Sequence, residues 1–215
     1  TLPPYGVPQG SVLGPLLFLI YTNDISNATN NTSLIQYADD TTLYCSGTNP
    51  AELKTRIISD LTRLVSYFNG NSLQLNLSKT NYMFISSKNT PNNRAPNNIG
   101  LDSIRINDTD IHKVNQTKFL GVIIDDRLSF RPHIENTENK VSKGLYALRT
   151  AKNFLPKKHL GLIYHALVAP HLSYGINFWH STTKNHLHKL TVLQKKAIRT
   201  ISNAEYNAPS APLFK

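Results

Sequence analysis

The spacing of apolar residues changes along this chain, and each change predicts an element. Residues 12–21 are apolar on nearly every side, which predicts a buried helix running to about Tyr21–Asn23. Ser11 is its expected N-cap, and Pro15 is tolerated near the first turn. Residues 26–32, with three Asn, read as a connector. Leu34-Ile35 and Leu43-Tyr44 are strand-like arms around Asp39-Asp40, which predicts a β-hairpin with two carboxylates at its tip. Leu53, Ile57, Leu61, Leu64 and Phe68 recur at helical spacing, after a start at Asn49-Pro50 with Glu52 and before an end at Gly70. Leu73–Leu77 alternates as a strand, with Tyr82–Ile85 as its partner across Ser78–Asn81. Residues 88–100 carry no apolar pattern and read as a loop.

Ser103–Ile106 and Ile111–Val114 predict a hairpin across Asn107-Asp108. Phe119–Ile124 reads as a strand, with Gly121 marking close approach by a backbone or a ligand. From His133 the period is helical. Ile134, Val141, Leu145, Leu148 and Leu155 share one face. Leu160, Ile163 and Leu167 begin a second helix, ended or kinked by Pro170. Leu187, Leu190, Leu193, Ala197 and Ile201 mark a third, and the tail from Ala204 is expected to fray. The fold class is therefore α+β. A mixed domain over 1–128 precedes an all-helical domain over 129–215.

Length and composition fit this picture. The chain has 215 residues, 40% of them hydrophobic, enough for one large domain or two small ones. No apolar stretch reaches the length of a membrane span, and no signal peptide is expected. The single cysteine, Cys45, excludes an internal disulfide and a Cys-based zinc site, and fits an intracellular protein. The first residue is Thr1, inside a motif, so an N-terminal part is expected to precede it. Charge is uneven: residues 1–50 hold three Asp and no Lys or Arg, whereas residues 151–215 hold nine Lys/Arg against one Glu. An acidic head suits metal chemistry and a basic tail suits a polyanion.

Paired carboxylates on a rigid tip suit Mg²⁺, a hard cation that takes carboxylate and phosphate oxygens. Asp-Asp alone reads as a solvated turn; its neighbours change that. Gly6-Val7-Pro8-Gln9-Gly10-Ser11-Val12-Leu13-Gly14-Pro15-Leu16-Leu17-Phe18, followed by Tyr37-Ala38-Asp39-Asp40, resembles the reverse transcriptases of non-long-terminal-repeat retrotransposons of the jockey-like kind. The resemblance continues through residues 75–80, 119–125 and the basic helical tail.

The resemblance implies a partial polymerase palm, an antiparallel sheet with packed helices, followed by a helical thumb. It implies an RNA-directed DNA polymerase that works through two Mg²⁺ ions on an RNA template, a DNA primer and deoxynucleoside triphosphates, without a membrane, in the nucleus at the site of integration. Asp39 becomes a metal ligand and Asp40 its neighbour at the metal site. Pro8, Gln9 and Gly10 line the nucleotide and template pocket, with Lys79 near the triphosphate. Leu120-Gly121 matches the primer grip. Lys140, Lys143, Arg149, Lys195, Lys196 and Arg199 are candidates for contact with the nucleic-acid backbone. The family uses a further Asp on a strand before the Pro-Gln-Gly loop, which these 215 residues do not supply, since Asp24 reads as structural. The chain alone is accordingly expected to be inactive. A group II intron-type reverse transcriptase, or a remnant of a mobile element that binds nucleic acid without catalysis, are the alternatives. No metal is assigned to the eight His.

Overall fold

A computed structural model describes residues 7, 8, 10–86, 103–106 and 109–214. The expected loop over 88–100 and the Asn107-Asp108 turn lie outside the described residues. The rest forms two compact units, one from residues up to 82 with 103–114, the other from 83–86 with residues from 115 onward. Helices and small, mostly antiparallel sheets bear out the α+β expectation.

The first unit opens with helix α1, Gly14–Tyr21. Ser11 lies before its N-terminus and accepts the Gly14 N–H at 3.1 Å. The expected burial of α1 does not hold. None of its residues is buried, and Leu16 and Ile20 are 54% and 65% exposed. All-round apolarity states which environment a helix tolerates; burial also needs chain on every side, and these residues do not provide it.

Strands β1 (Ser33–Tyr37) and β2 (Asp40–Tyr44) pair antiparallel, with Tyr37 opposite Asp40. Helix α2, Pro50–Gly70, starts as expected: the Asn49 side chain accepts the Ala51 N–H at 3.1 Å. Its apolar stripe, including Ile57, Ile58, Leu61 and Val65, packs on Ile104, Ile106 and Ile111. Those residues come from β4 (Ile104–Ile106) and β5 (Thr109–Lys113), an antiparallel pair.

Residues 73–77 form no strand. Leu75 and Leu77 do turn into this core, so the alternation reported burial correctly. Asn76 ends the extended run, because its carbonyl accepts the Lys79 and Thr80 N–H groups and its side chain accepts the Ser78 hydroxyl. The intended partner shrinks to β3, Asn81–Tyr82, which pairs in parallel with β5.

Asp60, wholly buried in α2, organises the approach to β1. Its carboxylate accepts the N–H groups of Asn30 (3.2 Å) and Asn31 (2.7 Å), the Asn31 side-chain amide (3.3 Å) and the Thr32 hydroxyl (2.9 Å). Burial alone would raise its pKa, but the donors from Asn31, Thr32 and Asn30 outweigh burial and hold it below the ordinary Asp value. An Asn-rich connector is thus fixed immediately before the hairpin.

In the second unit, residues 116–125 form a hairpin and not the single strand expected over 119–124. β6 (Gln116–Phe119) and β7 (Val122–Asp125) pair antiparallel around a Leu120-Gly121 turn, where both residues have positive φ, 44° and 88°. That combination suits a two-residue hairpin loop and cannot be read from apolar periodicity. Buried Asp125 accepts the Ser129 and Phe130 N–H groups at 3.1 and 2.7 Å, closing the turn into α3 (Arg131–Ala151). Four helices follow: α4 (Lys157–Leu167), α5 (Ala169–Ser173), α6 (Ile176–Trp179) and α7 (Lys184–Ile201).

Val141, Leu145, Leu148, Leu160, Tyr164, Val168 and Ala197 form the core of this unit. Leu155, expected on the α3 face, lies beyond the end of that helix and is 40% exposed. Pro170 sits in the first turn of α5, where its ring is compatible with a helix. The tail does not fray. Arg199 Nε donates to the Ala208 carbonyl at 2.8 Å, and Ala211–Phe214 form a short 3₁₀ helix.

Gly144 sets the approach of α3 to α4. A Cβ there would lie 2.7 Å from the Leu167 carbonyl oxygen and 2.8 Å from Val168 Cγ2. The nearest atom is backbone and cannot swing aside. Gly144→Ala is therefore expected to cost about 1–3 kcal/mol of stability. A thermal melt reads this as a lowered Tm; an unchanged Tm would show that the helices separate freely.

Candidate active site and nucleic-acid surface

The β1–β2 hairpin turns through Ala38-Asp39, with Ala38 at φ 52°. A residue bearing a Cβ is disfavoured in that left-handed region by roughly 1–2 kcal/mol. Gln36 helps to hold it. Its side-chain amide donates to the Ala38 carbonyl at 3.2 Å and to the Thr22 hydroxyl at 3.0 Å. Thr22 is buried at the C-terminal end of α1 and donates in turn to the Phe18 carbonyl. The hairpin tip is thus tied to the end of the helix that follows the Pro8–Gly10 turn.

Asp39 and Asp40 are exposed, and among the described residues no hydrogen bond or ion pair engages either carboxylate. Their oxygens are hard, anionic donors free to take a divalent cation, so the pair fits part of a Mg²⁺ site. It is only a part: among the described residues no three His, Cys, Asp or Glu side chains converge. Asp24 is engaged elsewhere. It accepts the Tyr67 hydroxyl at 2.6 Å, and burial together with this carboxylate raises Tyr67 to about 12.

The turn before α1 is closed by the Ser11 N–H donating to the Pro8 carbonyl at 3.0 Å. Gly10 sits at φ 85° with open space where a Cβ would be, so its backbone conformation, and not crowding, calls for glycine. Gln9 lies outside the described residues. Lys79 is exposed on the turn that follows Asn76. Among the described residues no hydrogen bond or ion pair joins Lys79, Pro8 or Gly10 to Asp39 or Asp40.

In the second unit the structure sorts the candidate cations. Arg149, Lys196 and Arg199 converge on one cleft of about 240 Å³, together with Lys152, Thr200, Ala204 and Tyr206. Among the described residues no carboxylate lines it. Lys152 and Tyr206 were not singled out in the sequence; Lys152, three residues after Arg149, was within reach of a periodicity argument, but Tyr206 was not. Lys140 lines a different cavity, which Gly121 shares. Lys143 and Lys195 line neither. Leu120 and Gly121 form the β6–β7 turn, and the Leu120 carbonyl accepts the Tyr174 hydroxyl.

Residues 4–124 match the family described as reverse transcriptase (RNA-dependent DNA polymerase). The chain is 31% identical, over 98% of its length, to a probable RNA-directed DNA polymerase from transposon BS of Drosophila melanogaster, covering 24% of that protein. It is 31% identical, over 94% of its length, to the RNA-directed DNA polymerase from mobile element jockey of Drosophila funebris, covering 22%. It is 27% identical, over 83%, to a retrovirus-related Pol polyprotein from type-1 retrotransposable element R1 2 of Nasonia vitripennis, covering 44%. The chain thus spans less than a quarter of the length of the first two. No solved structure matches it. Among the described residues no helix is long and apolar enough to cross a membrane.

Proposed function

The chain belongs to the reverse transcriptase (RNA-dependent DNA polymerase) family, and from that premise we propose that it forms part of the catalytic palm and the thumb of a retrotransposon RNA-directed DNA polymerase. The family implies a nucleic-acid template and nucleotide substrates; an RNA template, a DNA primer and deoxynucleoside triphosphates are this reading's choice. The observation that supports it most is the Asp39-Asp40 pair, held at an exposed hairpin tip with its carboxylate oxygens engaged by none of the described residues.

In this reading Asp39 holds Mg²⁺ directly, with Asp40 beside it. Mg²⁺, when bound, supplies a Lewis acid that lowers the pKa of the primer 3′-hydroxyl and neutralises charge on the transferred phosphate. The chain's own contribution is position. Gln36 and Thr22 hold the hairpin tip, and Ala38 turns the two carboxylates outward. Pro8, Gln9 and Gly10 border the nucleotide and template, Lys79 offers an ammonium to the departing pyrophosphate, and Leu120-Gly121 steadies the primer end. Residues 1–128 are assigned to the palm and 129–215 to the thumb. The remaining carboxylate is assigned to a strand outside these 215 residues.

Primer extension tests this. A polypeptide extended upstream to include that strand is expected to incorporate deoxynucleotides on a primed RNA template with Mg²⁺, and residues 1–215 alone to incorporate none. Incorporation by the 215 residues alone would overturn the account of the ligands. No incorporation by the extended polypeptide would favour a remnant that only binds.

The Arg149–Lys196–Arg199 cleft carries a separate expectation. Phosphate binding through it should weaken steeply with salt. Arg149→Gln with Lys196→Gln should lower the slope of log K against log salt by about two, roughly one for each lost phosphate contact. Filter binding across a salt series measures it. An unchanged slope would place the contacts elsewhere.

A further inference from the structure

Leu120 sits at φ 44°, in the left-handed region that favours glycine or asparagine over leucine. Such strain persists where neighbouring groups hold it, and it concentrates at functional sites. The neighbours here come from far along the chain. Phe119 pairs with Val122, so the Leu120 carbonyl lies outside the strand ladder. It accepts the hydroxyl of Tyr174, 54 residues later. The Tyr174 ring lies against Gly121, where an added Cβ would come within 3.1 Å of ring atom Cε1. Gly175, at φ 64°, continues the fit: a Cβ there would lie 2.9 Å from Val122 Cγ2.

Tyr174 is itself anchored. Its carbonyl accepts the indole N–H of Trp179 at 2.9 Å. Trp179 is buried with Ile134 and Leu190, where α3, α6 and α7 meet. A rigid support thus ends in one phenol that reaches the turn. That phenol adds little to stability. Tyr174 and Leu120 are 56% and 39% exposed, and water satisfies an exposed carbonyl about as well, so the net worth of the bond is small. What water does not supply is a fixed direction for the turn.

We propose that Tyr174 is a positioning residue, whose hydroxyl sets the Leu120-Gly121 turn in the orientation that steadies the primer end. The proposal rests on the reading of that turn as the primer grip. Tyr174 acts through the turn and not on the reacting atoms.

Tyr174→Phe removes one oxygen and keeps the ring, and Tyr146→Phe, on an exposed part of α3, is the control. Both are made in the polypeptide that carries the whole palm. Tyr174→Phe should speed amide hydrogen exchange over residues 119–122 about tenfold and leave Tm unchanged. Single-turnover extension of a primed RNA, at saturating duplex and nucleotide, should slow about tenfold while the Kd for the duplex stays the same. Tyr146→Phe should change none of these. Unchanged exchange at the turn overturns the proposal, and so does unchanged extension. A lowered Tm with extension reduced in proportion to the folded protein lost overturns it in favour of a structural tyrosine. A weaker duplex Kd with an unchanged rate at saturation overturns it in favour of plain binding, as does an equal loss in both variants. Wild type that incorporates nothing overturns the polymerase reading and primer positioning with it, while the exchange rates still decide whether Tyr174 holds the turn.

Discussion

Asp39→Asn should lower template-directed incorporation by at least about 10³-fold in a polypeptide that carries the whole palm, roughly 4 kcal/mol of transition-state stabilisation. The substitution keeps the size and the turn preference of Asp39, so the hairpin should survive. What it removes is one anionic oxygen where a divalent cation must be held against the charge of a triphosphate. Asp40→Asn should cost less, since the reading gives Asp40 the weaker role. Single-turnover extension of a primed RNA, with circular dichroism to confirm the fold, separates chemistry from stability. Wild-type rates in Asp39→Asn would end the assignment of this hairpin to catalysis.

Asp60→Ala should be the most damaging single change to the first unit, at about 3–5 kcal/mol. It strands the Asn30 and Asn31 N–H groups and the Thr32 hydroxyl together, around a position that is itself wholly buried. Asp60→Asn should cost less, because one acceptor oxygen remains. The same carboxylate makes stability depend on pH. Its folded pKa is lower than its unfolded value, which is about 3.9, so its contribution is complete above the unfolded pKa and is lost as pH falls through the folded one. Urea melts of wild type and Asp60→Ala should therefore lie far apart near neutrality and converge in acid. A gap that does not narrow in acid would show that Asp60 acts by packing alone. The connector it fixes leads into β1, so lost activity in this variant would come through the position of the hairpin.

The sequence disclosed the helices and the hairpins where side-chain period and local chemistry agreed. Asn49-Pro50 announced α2, and the apolar face of α3 was right from Ile134 to Leu148. It misled where one signal had two physical meanings. Alternating Leu73, Leu75 and Leu77 told of burial, but strand pairing depends on where Asn76 sends its hydrogen bonds. Phe119–Ile124 hid a turn, because Leu120 adopts a conformation that its side chain does not favour. Asp60 was legible in principle. It lies on the stripe of Ile57, Leu61 and Leu64, and a carboxylate on an apolar face has to find donors. The candidate site was legible in its hairpin carboxylates and in three of its cations. The convergence of Arg149, Lys196 and Arg199 was not, since it joins the ends of helices far apart in sequence.

The bare α1 helix has a practical consequence at the bench. Leu13, Leu16, Leu17, Leu19 and Ile20 meet solvent on a chain whose net charge is +10. In dilute buffer, mutual repulsion keeps such molecules apart. Concentrated salt strips adhering nucleic acid from a basic surface, but it also screens that repulsion, and a salting-out anion such as sulfate strengthens apolar association. The wash that cleans the protein of nucleic acid is then the wash that clumps it. Chloride with a mild detergent, which covers an apolar helix without neutralising lysines, should keep it dispersed where ammonium sulfate precipitates it.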